Sequence, residues 1–179
     1  MIATERANVL RNALRAAFPH TVPILAGFWF LGMAYGIYMN VSGFSVWYTL
    51  LMTILIFGGS LEFVAVSMLL SPFAPWSAFL MALMIQARHL FYGLSMLEKY
   101  KGLGAKRWYL IYGLCDETFS INCSVKVPPQ VDRGWYYFFV TLLNQFYWVS
   151  GAVLGTLLGA LLSFNMRGLE FVMTAMFVV

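Results

Sequence analysis

Apolar positions run through this chain in long blocks, cut by short polar or proline-marked joints, and these blocks define the elements. The opening block is the exception. From Thr4 to Phe18, Ala7, Leu10, Ala13, Leu14, Ala17 and Phe18 recur at helical spacing, with Arg6, Asn8, Arg11, Asn12 and Arg15 between them. That pattern predicts a short basic amphipathic helix lying at a membrane surface. Pro19 and Pro23 are expected to turn the chain into a first span, Thr21 to Met39, whose Gly27, Gly32 and Gly36 allow close packing. Asn40-Val41-Ser42-Gly43 signals a turn. Val46 to Leu70 is the next apolar block, with Gly58-Gly59 and then Glu62 in its middle. The glycine pair should loosen the helix there, and an acid away from water is a functional-site hypothesis by default.

Ser71 to Pro75 closes that block, and Trp76 to Leu97 is expected to form the next span. A basic loop with Lys99, Lys101, Lys106 and Arg107 leads to an apolar stretch from Trp108 to Val125, which Val127-Pro128-Pro129 ends. Gly134 to Leu162 is a long aromatic-rich span, and its Gly151, Gly155 and Gly159 recur every fourth residue as a helix-packing face. Gly168 to Val179 opens another apolar segment of twelve residues, too short to cross a bilayer at about 1.5 Å per residue. The chain is therefore expected to be C-terminally incomplete.

Composition fixes the class. Hydrophobic residues make up 61% and charged residues 10%, against roughly 45 to 50% and 25% in soluble domains. The expected fold is all-α: a polytopic helical membrane bundle with glycine-broken or re-entrant segments, forming a single transmembrane domain over residues 1–179. The net charge of +4 gathers in short clusters beside apolar segments, which carries topology information and gives no nucleic-acid surface. Cys115 and Cys123 have no companions at metal-ligand spacing and read as buried free thiols.

Topology bears on the glycine-broken block. Arg6/Arg11/Arg15 and Lys99/Lys101/Lys106/Arg107 should both be cytoplasmic, yet three candidate spans separate them. The conflict disappears if Val46 to Leu70 enters and returns as a hairpin. A weak repeat points the same way. A shift of 55 positions brings Leu55, Ile56, Gly58 and Glu62 onto Leu110, Ile111, Gly113 and Glu117. A hairpin plus a span, repeated, gives the inverted-topology repeat common in secondary transporters; chance similarity between two apolar segments is the competing explanation.

Glu62, Arg88, His89, Asp116 and Glu117 are nearly all the ionisable side chains within the predicted spans. Burying one alone costs about 2.5 to 3.5 kcal/mol at a helix centre, so they are expected to converge. One use is a zwitterion site. Gly58, Gly59 and Ser60 would offer backbone and hydroxyl groups, Glu62 would face an ammonium or carry a coupling proton, and Arg88 would meet a carboxylate of the substrate or of Asp116. The alternative is an ion-pair network that only fixes helix packing. His89 has a near-neutral pKa suited to proton transfer, and equally suits an interfacial hydrogen bond. Asp116 and Glu117 point about 100° apart on a helix, so one of them should face the centre. With two histidines in the chain, neither a histidine-rich metal site nor a zinc-protease motif is expected, no cofactor is called for, and an enzyme has no marked nucleophile.

At Phe57-Gly58-Gly59-Ser60-Leu61-Glu62-Phe63, Arg88-His89-Leu90-Phe91-Tyr92-Gly93 and Asp116-Glu117-Thr118-Phe119, in that order and spacing, the chain resembles the AzlC family. The likeness extends to Gly168-Leu169-Glu170-Phe171. These are large subunits of bacterial branched-chain amino-acid exporters. The basic clusters place the N-terminus on the cytoplasmic side, and the resemblance implies a helical inner-membrane transporter working with a small AzlD-type membrane subunit on substrates such as valine, leucine, isoleucine or methionine. It implies no metal or catalysis. The family usually has alanine-glutamine where this chain has Leu61-Glu62, which bears on substrate identity and ion coupling, and it continues beyond Val179. A reading from another class is a non-transporting membrane scaffold or sensor.

Overall fold

The computed structural model describes residues 2–72 and 74–161. Among them lie eight helices and no strand: α1 Ile2–Val41, α2 Val46–Leu55, α3 Ser60–Leu70, α4 Pro75–Ile85, α5 Ala87–Met96, α6 Lys106–Tyr112, α7 Asp116–Ser124 and α8 Arg133–Leu161. Two are long and apolar enough to cross a membrane, α1 from Glu5 to Val41 and α8 over its whole length. At 10 or 11 residues, α2, α3 and α4 rise only about 15 to 17 Å, half of a roughly 30 Å hydrocarbon layer. The chain is a helical membrane bundle built from full-length and half-length helices. The apolar segment at Gly168 to Val179 lies outside the described residues.

The expected turn at Pro19 and Pro23 is absent, because α1 runs straight through both prolines. Each proline removes one backbone bond, to the carbonyls of Arg15 and Pro19, and membrane helices tolerate this where side chains and neighbours compensate. Thr21 Oγ1 donates to the Phe18 carbonyl at 3.0 Å in that stretch. Ala13 and Ala17 are fully buried, while Arg6, Arg11 and Arg15 are exposed. The basic segment is thus a core-facing part of a long helix rather than a separate surface helix.

The described chain forms two compact units, and α1 and α8 contribute to both. In the first, residues 1–26 and 89–146, Ala17, Met96, Tyr100, Leu110, Leu114, Tyr136, Tyr137 and Val140 make the core. Its broken hairpin is α6–α7, parted at Gly113–Cys115 inside the stretch expected to be one apolar segment. Lys99 Nζ, in the loop before α6, donates to the carbonyls of Asn122 and Cys123 at 3.0 and 2.7 Å. The end of α7 therefore returns to the end where α6 begins. Arg6 and Lys106 line one cavity, so the two basic clusters also lie at that same end.

The second unit, residues 27–88 and the described chain from 147 onward, holds the α2–α3 hairpin. Two contacts from α1 fix its direction. Tyr38, near the C-terminal end of α1, places its hydroxyl 3.3 Å from Ser67 Oγ, late in α3. Tyr35, a turn earlier, donates to Met52 Sδ at 3.8 Å and packs edge-on against Phe63 at 5.2 Å. Since only residues 42–45 separate α1 from α2, α3 comes back to where α2 began. The two short helices therefore fold back on each other at the break. Both hairpins have a helix–break–helix order, α2–α3 parted at residues 56–59 and α6–α7 at residues 113–115.

Small residues close the rest of this unit. A Cβ on Gly36 would overlap the Ala152 backbone, and one on Gly155 would overlap Met33. The glycines at 151, 155 and 159 thus form the expected packing face, against α1. The expected span Trp76 to Leu97 is interrupted at Gln86, between α4 and α5, where no glycine or proline announces a break. Both cysteines are free thiols, but Cys123 is exposed, contrary to the buried reading, because it sits on the outward side of the last turn of α7.

Candidate functional site

The break between α2 and α3 is built from strained backbone. Phe57 has φ 43°, the single non-glycine residue with positive φ among those described, and Gly59 has φ 41° and ψ −92°. A side chain at Gly59 would be strained, which explains one of the two glycines. Gly58 is explained by space: a Cβ there would overlap the amide nitrogen of Gln86. That amide donates to the Gly58 carbonyl at 3.3 Å, so the break in the α4–α5 helix faces the break in the hairpin.

Glu62 sits in the first turn of α3 and is completely buried. Its carboxyl reaches back to accept the Gly58 N–H at 3.1 Å, occupying a donor that the break leaves without a helical partner. From α8, the Trp148 indole N–H faces both carboxyl oxygens at 3.1 and 3.0 Å. A carboxylate at a helix N-terminus is also favoured by the helix dipole. The acid that sequence analysis expected beside an ammonium or an arginine is held here by two N–H donors. Trp148 was not among the expected site residues; its neighbours Phe28 and Tyr35, with ring centroids 5.7 and 6.3 Å away, give it an aromatic seat. Ser60 is buried at the start of α3, so Gly58, Gly59, Ser60 and Glu62 form one local group.

Beside the hairpin, an apolar cavity of about 660 Å³ is lined by residues of α2, α3 and α4, among them Met52, Met68 and Met81 with Ser67, Ser71 and Ser77.

The other expected residues are distributed as follows. Arg88 ends the stretch that belongs to the α2–α3 unit, and His89 begins the next stretch of the other unit. The His89 ring lies 5.8 Å from that of Tyr92, which stacks on Phe119 at 4.4 Å. Asp116 and Glu117 occupy the first turn of α7, again a helix N-terminus following a break. Both line a cavity of about 410 Å³, together with His20, Ile24, Ser120 and Ile121. Behind them, Thr118 Oγ1 accepts from Asn144 Nδ2 at 3.0 Å and lies 3.1 Å from Cys115 Sγ, tying this break to α8. His20, a residue that sequence reasoning left unassigned, faces these acids from α1.

The arrangement presents two helix breaks, each followed by acids in the first turn of a short helix. Such sites favour charged groups through backbone dipoles in a low-dielectric setting.

Residues 23–162 match a family model described as AzlC protein. Over 167 residues the chain is 58% identical to "Branched-chain amino acid transport protein AzlC" of Bacillus subtilis, covering 93% of this chain and 66% of that protein. Over 176 residues it is 53% identical to an "Uncharacterized membrane protein" of Haemophilus influenzae, covering 98% and 72%. A Helicobacter pylori protein, also called "Uncharacterized membrane protein", is 35% identical over 168 residues, covering 94% and 74%. The chain thus spans about two thirds to three quarters of the length of these relatives. No solved structure matches it significantly. With the family model covering most of the described residues and relatives above 50% identity along nearly the whole chain, this protein belongs to the AzlC family.

Proposed function

We propose that the chain is the large subunit of a two-component secondary transporter that exports branched-chain or other apolar amino acids. The observation that carries the reading is the broken α2–α3 hairpin with a fully buried carboxyl at its break, in a chain 58% identical to a protein named for branched-chain amino-acid transport. A glycine-broken segment in a membrane bundle frees backbone groups for a substrate, and an acid held there is suited to an ammonium or a coupling proton. Gly58, Gly59 and Ser60 offer the backbone and hydroxyl groups. Glu62 exchanges its Trp148 partner for the substrate ammonium or for a proton, Arg88 meets the carboxylate, and His89, Asp116 and Glu117 serve coupling at the second break. The methionine-rich cavity beside the hairpin suits a branched or thioether side chain. Each broken hairpin serves a step of an alternating-access cycle, and the chain is a transporter rather than an enzyme.

In this reading the protein resides in the bacterial inner membrane with a cytoplasmic N-terminus, in keeping with the shared end of its basic clusters. A small AzlD-type membrane subunit completes it. The test is efflux of preloaded labelled valine, leucine, isoleucine and methionine from cells expressing the full-length gene with and without the neighbouring small membrane protein. Efflux that needs both proteins is expected. Absence of efflux for all four, with both proteins in the membrane, would overturn the substrate assignment.

One observation favours a second reading, a scaffold or sensor. Both hydrogen-bonding partners of the Glu62 carboxyl are groups of the chain itself, as a structural lock requires. A lock predicts that Glu62→Gln lowers the yield of folded protein, whereas a transport site predicts normal yield with lost flux.

A further inference from the structure

We propose that the basic end of the α6–α7 unit binds an anionic phospholipid by its headgroup, in a cavity between Arg6, Lys106 and Trp135. The cavity measures about 680 Å³ and is lined by Glu5, Arg6, Val9, Leu10, Lys106 and Trp135. Three helix starts build it, those of α1, α6 and α8, so cations from opposite halves of the sequence meet at one opening. Lys106 is half-buried, with Nζ 3.7 Å from the centroid of the Trp135 ring, which holds the ammonium in place without neutralising it. Arg6 is exposed at the mouth and presents the planar donor fork suited to phosphate oxygens.

The lining is amphipathic in the way a lipid is. Arg6 and Lys106 supply the phosphate end, while Val9, Leu10 and the face of Trp135 supply an apolar wall for glycerol and acyl carbons. Glu5 is the one acid in this lining, against two bases. Lys99, by contrast, is committed to the carbonyls at the end of α7 and is not a candidate. The position fits as well. This end carries both basic clusters, tryptophan is a residue of the membrane–water boundary, and basic pockets between membrane helices on that side suit anionic headgroups. A soluble anion would use the two cations and leave the apolar wall unused, so the commitment is to a lipid. The inference rests on the fold alone, and its failure would leave the transport reading untouched.

The test uses the full chain in detergent micelles, titrated with phosphatidylglycerol or phosphatidylcholine of equal chain length and analysed by native mass spectrometry for retained lipid. Phosphatidylglycerol should be retained preferentially. Arg6→Gln and Lys106→Gln should each weaken retention roughly fivefold, as expected for about one interfacial charge, whereas Lys106→Arg and Lys101→Gln should retain it, the latter removing a charge outside the lining. Thermal unfolding of each variant without lipid checks that it is folded. Equal retention of the two lipids would overturn the proposal, as would retention unchanged in Arg6→Gln/Lys106→Gln. An equal loss in Lys101→Gln would overturn it in favour of diffuse surface charge. Full competition by glycerol phosphate, which lacks acyl chains, would overturn the lipid assignment in favour of a free anion.

Discussion

The indole N–H of Trp148 lies across both oxygens of Glu62, 3.1 and 3.0 Å away, joining residues 86 positions apart in the sequence. The same carboxyl accepts the Gly58 N–H, so one side chain ties the broken hairpin to the long helix α8. Three buried groups depend on one another here, which makes the effect of each substitution specific to the atoms it removes.

Glu62→Ala removes the acceptor of two buried N–H groups and leaves a void. An unpaired buried donor costs about 1 to 3 kcal/mol, so a loss of roughly 2 to 5 kcal/mol is expected. Glu62→Gln keeps the volume and one carbonyl acceptor, and should lose less than half of that. Thermal unfolding in detergent measures the difference. Under the transport reading, Glu62→Gln reaches the membrane in normal amount while labelled amino-acid efflux falls at least tenfold; unchanged efflux would remove the acid from the transport step.

Trp148→Phe isolates the indole N–H, since a phenyl ring still packs against Phe28 and Tyr35. A net hydrogen bond contributes about 0.5 to 1.5 kcal/mol and an acceptor left short of a partner when buried adds to this, so a loss of about 1 to 3 kcal/mol is expected. Its effect should also be non-additive with Glu62→Ala, which removes the acceptor, because the two residues touch. A double-mutant cycle on unfolding midpoints reads the coupling, and strict additivity would mean that the Trp148 contact contributes nothing.

The contrast between what sequence foretold and what it missed follows from the kinds of signal involved. Gly58-Gly59 announced its break because a side chain at Gly59 would be strained, whereas the break at Gly113–Cys115 fell inside a stretch that reads as one apolar segment. The grouping of the basic clusters was legible through charge: Arg6 and Lys106 were expected to share an end, and they line one cavity. Gln86 gave no backbone signal, since glutamine is a good helix former, although a lone amide in an apolar run was a visible oddity. Trp148 was invisible as a partner of Glu62, because a tryptophan in an aromatic-rich span looks like any other. Pro19 and Pro23 misled in the opposite direction: the rule that proline ends a helix is weaker in membrane helices, and α1 continues through both.

Packing between α1 and α8 can be tested with one methyl group. A Cβ at Gly155 would overlap the Met33 backbone, which cannot move without shifting α1. Gly155→Ala should therefore destabilise by about 1 to 3 kcal/mol, the usual cost of overpacking. At Gly27, also within α1, a Cβ would meet nothing within 4 Å. Gly27→Ala should be neutral, or stabilising by about 0.5 to 1 kcal/mol through helix propensity. Equal responses of the two variants in thermal unfolding would mean that the helices do not approach as described.

At the open end of the α6–α7 hairpin, Lys99 does what a helix C-terminus needs. The last carbonyls of α7 have no helical partner, and Nζ donates to those of Asn122 and Cys123. A cation placed there also offsets the negative end of the helix dipole, a contribution of about 0.3 to 1 kcal/mol when exposed and up to about 2 when partly buried. One turn deeper, Tyr100 is fully buried and its hydroxyl accepts from Asn122 Nδ2 at 2.9 Å. Lys99→Met keeps the stem and removes the charge, so a loss of about 1 kcal/mol is expected, with Lys99→Arg close to wild type. Tyr100→Phe strands a buried amide and should lose about 1 to 3 kcal/mol. Hydrogen exchange separates these local effects from global unfolding: both variants should speed exchange in the last turn of α7 before they alter α8. Faster exchange throughout the chain, with no excess at residues 120–125, would show that the loop does not anchor this hairpin.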